Sequence, residues 1–170
     1  MVNGKNKLTE AGLEALNLKI VETEKRISEI RAEKEVAYWG SGDGWHDNPG
    51  FNQLEQLEFR VCSELQEMIR LREDATIVRL ISRNVEKVSI GSIVKIEQYS
   101  LTDKSKRIIV WEVVGHKESD PKKFKIAYDT PIGAVIIDKT VGESVELVLP
   151  GGRSVLKVVE LFPCWDSVKK

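Results

Sequence analysis

Residues 13–37 read LEALNLKIVETEKRISEIRAEKEVA, and the spacing of their apolar side chains decides the fold. Leu13, Leu16, Ile20, Thr23, Ile27, Ile30, Lys34 and Ala37 follow one another at alternating steps of three and four, and six of these eight are apolar. That is the narrow seam of a coiled coil, not the broad stripe of a globular helix. The residues between them, among them Glu22, Glu24, Lys25, Arg26, Glu29, Arg31 and Glu33, are charged and stay in water. Thr9 stands as N-cap, and Glu10 lies favourably against the positive end of the helix dipole, so one long helix is predicted over 9–39.

Working outward, a second seam runs through Leu54, Leu57, Val61, Glu64, Met68, Leu71, Ala75 and Val78. Only Glu64 breaks it, and Leu65 beside it covers the gap. Neither helix can bury its stripe alone, and the connection between them, 40–50, is short. The two are therefore expected to fold back as an antiparallel hairpin over 8–80, an arm of about 45 Å at about 1.5 Å per residue.

The connection is Gly40-Ser41-Gly42-Asp43-Gly44-Trp45-His46-Asp47-Asn48-Pro49-Gly50-Phe51. Its glycines and Asn-Pro account for the reversal. Asp43 and Asp47 admit two readings. They are turn-forming and helix-capping residues, or they are a pair of carboxylates carried at the end of a probe. Hard oxygen ligands of this kind suit Mg2+, which takes one or two carboxylates and leaves its remaining positions to water and phosphate. Two carboxylates on a free tip bind such an ion weakly and would matter only inside another protein's metal site. Trp45, an aromatic in an exposed bend, is expected to touch a partner, by stacking on a base or wedging into a protein. His46 is either a third polar ligand, a proton donor to phosphate, or a solvated turn residue.

From Ser89 the pattern changes to short β-rich runs. Residues 92–100 and 107–116 make one hairpin around the basic turn Thr102–Lys106; 143–149 and 153–162 make a second around Pro150-Gly151-Gly152; 123–128 forms a further short strand. Between them Thr130-Pro131 reads as a helix start, with Thr at the N-cap and Pro at the first helical position. The predicted class is α+β: an N-terminal antiparallel coiled-coil hairpin with an acidic tip at 40–51, a linker at 81–88, and a small antiparallel sheet with a short helix over 89–165.

The composition supports this division. The chain has 170 residues and a net charge of −1, but residues 8–80 carry nine Lys/Arg against fifteen Asp/Glu, while 81–170 carry fifteen against twelve. No global basic excess argues for nucleic acid as the main partner. No apolar run approaches the roughly 18–20 residues that span a bilayer, and the first residues lack the apolar stretch of a signal peptide. Cys62 and Cys164 make neither a disulfide framework nor a zinc site. A soluble, reducing, cytoplasmic setting is expected. No nucleotide loop, nucleophile elbow or HExxH motif is present. His116 is expected in a loop. The arginines Arg60, Arg70, Arg72 and Arg79 and the basic turn are expected to be mainly solvated faces and ion pairs.

Four stretches together resemble the bacterial transcription elongation factors of the GreA/GreB family. Leu8-Thr9-Glu10-Ala11-Gly12-Leu13 is similar to that family's Leu-Thr-x-x-Gly helix start. Gly42-Asp43 resembles the Gly-Asp that opens its tip, and Asp47-Asn48-Pro49-Gly50-Phe51 stands where it shows Glu-Asn-Ala-Glu-Tyr. Thr130-Pro131-Ile132-Gly133-Ala134, followed by Ile137-Asp138-Lys139, resembles its Ser-Pro-[Ile/Leu] segment, which ends in Gly-Lys.

The resemblance implies an FKBP-like second domain that docks on bacterial RNA polymerase at the rim of the secondary channel, with Thr130, Pro131 and Ile132 at the contact. It implies a hairpin that enters the channel, so that Asp43 and Asp47 help hold a second Mg2+ shared with the polymerase, and Trp45, His46, Asn48 and Phe51 make the tip contacts beside the nascent RNA 3′ end. Such a factor is a monomer, touches no membrane, binds no cofactor tightly and is not itself an enzyme: it lends ligands to one. A peptidyl-prolyl isomerase activity is not expected from fold alone.

The tip departs from the family pattern. Asp47 replaces Glu, Gly50 replaces a second Glu, Phe51 replaces Tyr, and one extra residue sets Asp43 and Asp47 four apart instead of three. Two further readings therefore stand beside cleavage stimulation: a channel-binding regulator that inhibits or remodels the polymerase without cleavage, and a coiled-coil adaptor that never meets polymerase.

Overall fold

The computed structural model describes residues 6–40, 48–79, 84–150 and 152–169. The chain divides into two compact units, one holding Leu13–Ala75 and the other holding the chain up to Gly12 together with Thr76 onward.

The first unit is the helical hairpin. Helix α1 spans Glu10–Gly40 and α2 spans Pro49–Asp74, about 46 Å and about 39 Å at 1.5 Å per residue. Between residues 13 and 37 the positions withdrawn from solvent are those of the expected seam, and every residue between them is exposed. On α2 the same holds for Leu54, Leu57, Val61, Met68 and Leu71, while Glu64 is exposed and Leu65 takes its place. Ile27, Ile30 and Val61 form the buried centre, packed by Leu54, Leu57, Cys62 and Leu65. Links from Ala37 to Asn48, from Lys34 to Phe51 and from Arg31 to Glu58 step in opposite directions along the two helices, which makes the pair antiparallel.

The seam ends earlier than its spacing suggests. α2 stops at Asp74, and Ala75 turns extended at φ −72, ψ 142. Thr76–Val78 is instead a strand, β2, pairing in parallel with β1, Lys7–Thr9. Position 78 is thus a strand residue and not a helical seam residue. Thr9 performs the expected capping, its hydroxyl accepting from the Gly12 N–H at 3.0 Å. Glu118 closes over it: the carboxylate accepts from the Thr9 N–H at 2.8 Å, from the Thr9 hydroxyl at 2.7 Å and from the Gly115 N–H at 3.2 Å. A Cβ on Gly12 would lie 1.9 Å from that carboxylate. The Leu-Thr-x-x-Gly pattern therefore has a local cause, namely a cap and the space for the acid that locks it.

The second unit is built on a five-stranded sheet in the order β5-β4-β3-β7-β6. β3 is Ile93–Ser100, β4 Lys106–Val114, β5 Lys125–Ala127, β6 Ser144–Leu149 and β7 Gly152–Phe162. Both expected hairpins are present as antiparallel pairs. The edge strand β5 runs parallel to β4, so the sheet is mixed where a wholly antiparallel one was expected. The cause is the return through the 3-10 turn Pro121–Lys123, which Asp120 caps and Phe124 leaves at φ 54.

Helix α3, Pro131–Ile136, lies on one face of this sheet. The core beneath is Val88, Val94, Ile96, Val113, Ile126, Ile136, Leu156, Val158 and Leu161. Val88 is fully buried, its N–H donating to the Lys139 carbonyl at 2.8 Å and its own carbonyl accepting from the Asp138 N–H at 2.9 Å. Asn84 holds the approach with a side chain that accepts from the Glu86 and Lys87 N–H groups. Residues 84–88, expected as linker, thus belong to the sheet unit.

Asp138 stands where the resembling family has Gly, and its φ of 61 lies in the left-handed region. Asp tolerates that region better than most residues, whereas a β-branched side chain there is an outlier. Asp138→Val should lower stability by about 1–2 kcal/mol, and Asp138→Gly should stay within about 0.5 kcal/mol of the parent, because relief of strain offsets the freer unfolded chain. Thermal unfolding of the two variants side by side checks this.

Candidate functional site

The candidate site begins where the hairpin helices end. Asn48 is the N-cap of α2, extended at φ −100, ψ 94, with Pro49 at the first helical position. Its side-chain oxygen accepts from the Phe51 N–H at 3.1 Å, and its side-chain amide donates to the Ala37 carbonyl of α1 at 2.8 Å. One side chain thus caps one helix and ties it to the other. The Phe51 ring packs at 6.0 Å from Tyr38, with the Lys34 ammonium 5.8 Å from its centroid. Tyr38 meets Trp39 edge-on at 5.1 Å, and Trp39 is left 76% exposed.

Below this lies an ion cluster. The Glu58 carboxylate accepts from Arg31 Nε at 2.7 Å and is also bonded by Lys34 Nζ. The hydrogen bonds from Arg31 and Lys34 hold the Glu58 carboxyl below its ordinary value of 4.5, against a smaller opposing effect of burial. A carboxyl whose folded pKa is depressed stabilises the fold above its unfolded pKa and loses that contribution as pH falls through the folded value. The thermal midpoint of the hairpin should therefore decline as pH falls below about 4.5, and Glu58→Gln should remove that part of the decline. Melting curves of both proteins between neutral and acid pH measure it.

Of the tip residues expected from the sequence, Asp43, Trp45, His46 and Asp47 lie outside the described residues. Asn48 and Phe51 lie within them, and both side chains engage the hairpin itself. Lys34, Tyr38, Trp39 and Glu58 were not singled out as site residues. Their signal in the sequence was a lysine at a seam position and two aromatics just before Gly40. Among the described residues no group of three or more His, Cys, Asp or Glu side chains converges as a metal site.

The second candidate segment opens α3. The Thr130 hydroxyl donates to the Ala127 carbonyl at 2.8 Å and accepts from the Gly133 N–H at 3.1 Å, which is the expected N-cap. Ile132 is half-buried against the core, while Pro131 and Ala134 are exposed. Thr130 and Ile132 thus fix the segment and Pro131 presents it. Gly133 is buried, and a Cβ there would lie 2.1 Å from the Ala127 carbonyl oxygen.

Elsewhere, His116 sits in the turn after β4. Its ring bonds Asp129, and its N–H donates to the Lys7 carbonyl at 2.8 Å. Several basic residues are paired, Arg79 with Glu10 at 3.5 Å and Lys106 with Glu97 at 2.8 Å. Cys164, for which no partner was foreseen, lies 3.2 Å from the Ser167 hydroxyl, and that contact lowers its thiol pKa. No helix among the described residues is long and apolar enough to cross a membrane.

A family model described as "Transcription elongation factor, GreA/GreB, C-term" matches residues 83–162, most of the sheet unit. GreA of Clostridium perfringens is 27% identical over 161 residues, covering 94% of this chain and 98% of that protein, so the similarity runs through the hairpin as well. The chain belongs to the GreA/GreB family. GreA of Clostridium novyi is 32% identical over 110 residues, 65% of this GreA/GreB-family chain and 64% of the relative. Among solved structures, that of GreA factor homolog 1 (Gfh1) of Thermus thermophilus is 21% identical, covers 93% of this chain and 99% of its own, and has a TM-score of 0.41. Membership in the family is membership among transcription elongation factors.

Proposed function

We propose that this GreA/GreB-family factor binds bacterial RNA polymerase through its secondary channel and stimulates the polymerase's own cleavage of backtracked RNA. The observation that carries this reading is the connection Gly40–Gly50, with two carboxylates, Asp43 and Asp47, between the ends of two helices whose seam is otherwise regular. A helical pair of about 40 Å suits a narrow channel. The segment Thr130-Pro131-Ile132, rigidly capped and with Pro131 exposed, is the proposed docking contact at the channel rim.

In this reading Asp43 and Asp47 are the groups that would hold a Mg2+ shared with the polymerase. Two aspartates fit that ion chemically, since they supply hard oxygens and leave positions for water and phosphate. When bound there, the ion supplies charge stabilisation for the attacking and leaving oxygens of a phosphodiester hydrolysis. The chain's own residues deliver and orient carboxylates; Trp45 and His46 are placed to contact RNA or polymerase beside them. The factor acts as a monomer in the cytoplasm and is no enzyme alone.

A second reading, binding with inhibition and no cleavage, is favoured by one specific feature. Asp47 is one methylene shorter than the Glu of the family pattern and stands one residue further from Asp43. Halted, backtracked elongation complexes incubated with the protein and Mg2+ separate the two. Shortening of the RNA from its 3′ end supports cleavage; slowed nucleotide addition without shortening supports inhibition.

A further inference from the structure

Asn48 makes two hydrogen bonds that point in different directions. Its oxygen caps α2 through the Phe51 N–H at 3.1 Å, and its nitrogen reaches across to the Ala37 carbonyl at 2.8 Å. Capping needs only the first, and Asn, Asp and Ser serve it about equally well. Only an amide supplies the second while keeping the first. Around it, Phe51 is held by Tyr38 at 6.0 Å and by the Lys34 ammonium at 5.8 Å, and Lys34 is in turn fixed by Glu58. Asn48 is therefore anchored to both helices just where the chain leaves the second of them. Asp47 is its immediate neighbour, one peptide unit or about 3.8 Å between Cα atoms away.

We propose that Asn48 is a positioning residue for Asp47: its cross-hairpin bond to Ala37 fixes the carboxylate that the cleavage reading assigns to Asp47. The inference rests on that reading. Asp47 is tied to a fixed point, whereas Asp43 follows Gly40-Ser41-Gly42. The extra residue between the two acids is then accommodated on the Asp43 side, and Asp47 keeps its place relative to the helices.

Asn48→Ser and Asn48→Asp both keep a capping oxygen and both lose the donor to Ala37; one adds no charge, the other adds one. In the backtracked-complex assay each should slow RNA shortening on the order of 10- to 100-fold and raise the Mg2+ concentration giving half-maximal rate. Affinity for polymerase, measured by competition with labelled parent protein, and helical content should stay unchanged. A merely structural role would lower helical content and affinity together, and would leave the Mg2+ dependence alone. Full shortening activity in Asn48→Ser, or a loss confined to Asn48→Asp, overturns the inference while leaving the cleavage reading intact. No shortening by the parent protein overturns the reading, and this inference with it.

Discussion

Asp43→Ala and Asp47→Ala are each expected to slow RNA shortening in backtracked complexes by on the order of 100-fold or more, with polymerase affinity unchanged. The magnitude follows from the kind of interaction removed. Even residues that only support a metal ligand typically contribute 10- to 100-fold, and misplacement of a reacting group by about 1 Å costs on the order of 100-fold. Affinity is spared because the proposed docking contact, Thr130-Pro131-Ile132, lies in the sheet unit. Asp43→Asn and Asp47→Asn keep nearly the same shape and should lose nearly as much, since what matters is the charge on oxygen. If either acid can be removed without effect, the tip carboxylates are turn and capping residues, as their position between two helices also allows. Gel analysis of labelled RNA, with a parallel competition binding measurement, reads both quantities.

The second large effect is expected at Gly133. Gly133→Ala places a methyl group 2.1 Å from the Ala127 carbonyl oxygen and 2.9 Å from Thr130 Oγ1. Those two atoms are themselves hydrogen-bonded at 2.8 Å, so the cap of α3 and the end of β5 must move apart. Overpacking of this kind typically costs about 1–3 kcal/mol, and loss of the cap about 1 kcal/mol more. For a protein of this size, about 3 kcal/mol corresponds to a fall in thermal midpoint of roughly 6–12 °C. The same movement displaces Pro131, so polymerase affinity should fall as well. Ala134→Ser, one residue further on at an exposed position, should change neither.

The hairpin was the most legible part of the chain. A coiled-coil seam needs only a period, and the eight positions from Leu13 to Ala37 are the ones the structure withdraws from water. The exposed Glu64 and its substitute Leu65 were visible for the same reason. Where the period misled, it did so by continuing. Ala75 and Val78 keep the seam spacing, yet Thr76–Val78 pairs with Lys7–Thr9 across the length of the hairpin. Three-residue strands carry too little pattern to announce a partner so distant. The parallel β4–β5 edge was hidden likewise, because its direction is set by the turn at Pro121–Phe124 and not by the residues of β5.

The candidate site was legible in composition and less so in construction. Thr130 and Pro131 declared a helix start, and the cap is there at 3.1 Å. Asn48 was read as a tip contact, and its cap and cross-link emerge only when both helices are in register. Lys34 appeared as a flaw in the seam; in the fold it joins Glu58 on one side and the Phe51 ring on the other. A polar residue at a seam position close to a functional loop is thus a signal worth weighing by its reach across the pair.

The central claim is that the hairpin end comes to lie beside the RNA 3′ terminus within the polymerase. A backtracked elongation complex whose RNA ends in a photoreactive nucleotide, irradiated with the factor bound, tests it directly. Cross-links mapped by mass spectrometry should fall within residues 42–51. Cross-links confined to the sheet unit, or none from a complex to which the factor is demonstrably bound, would contradict the account.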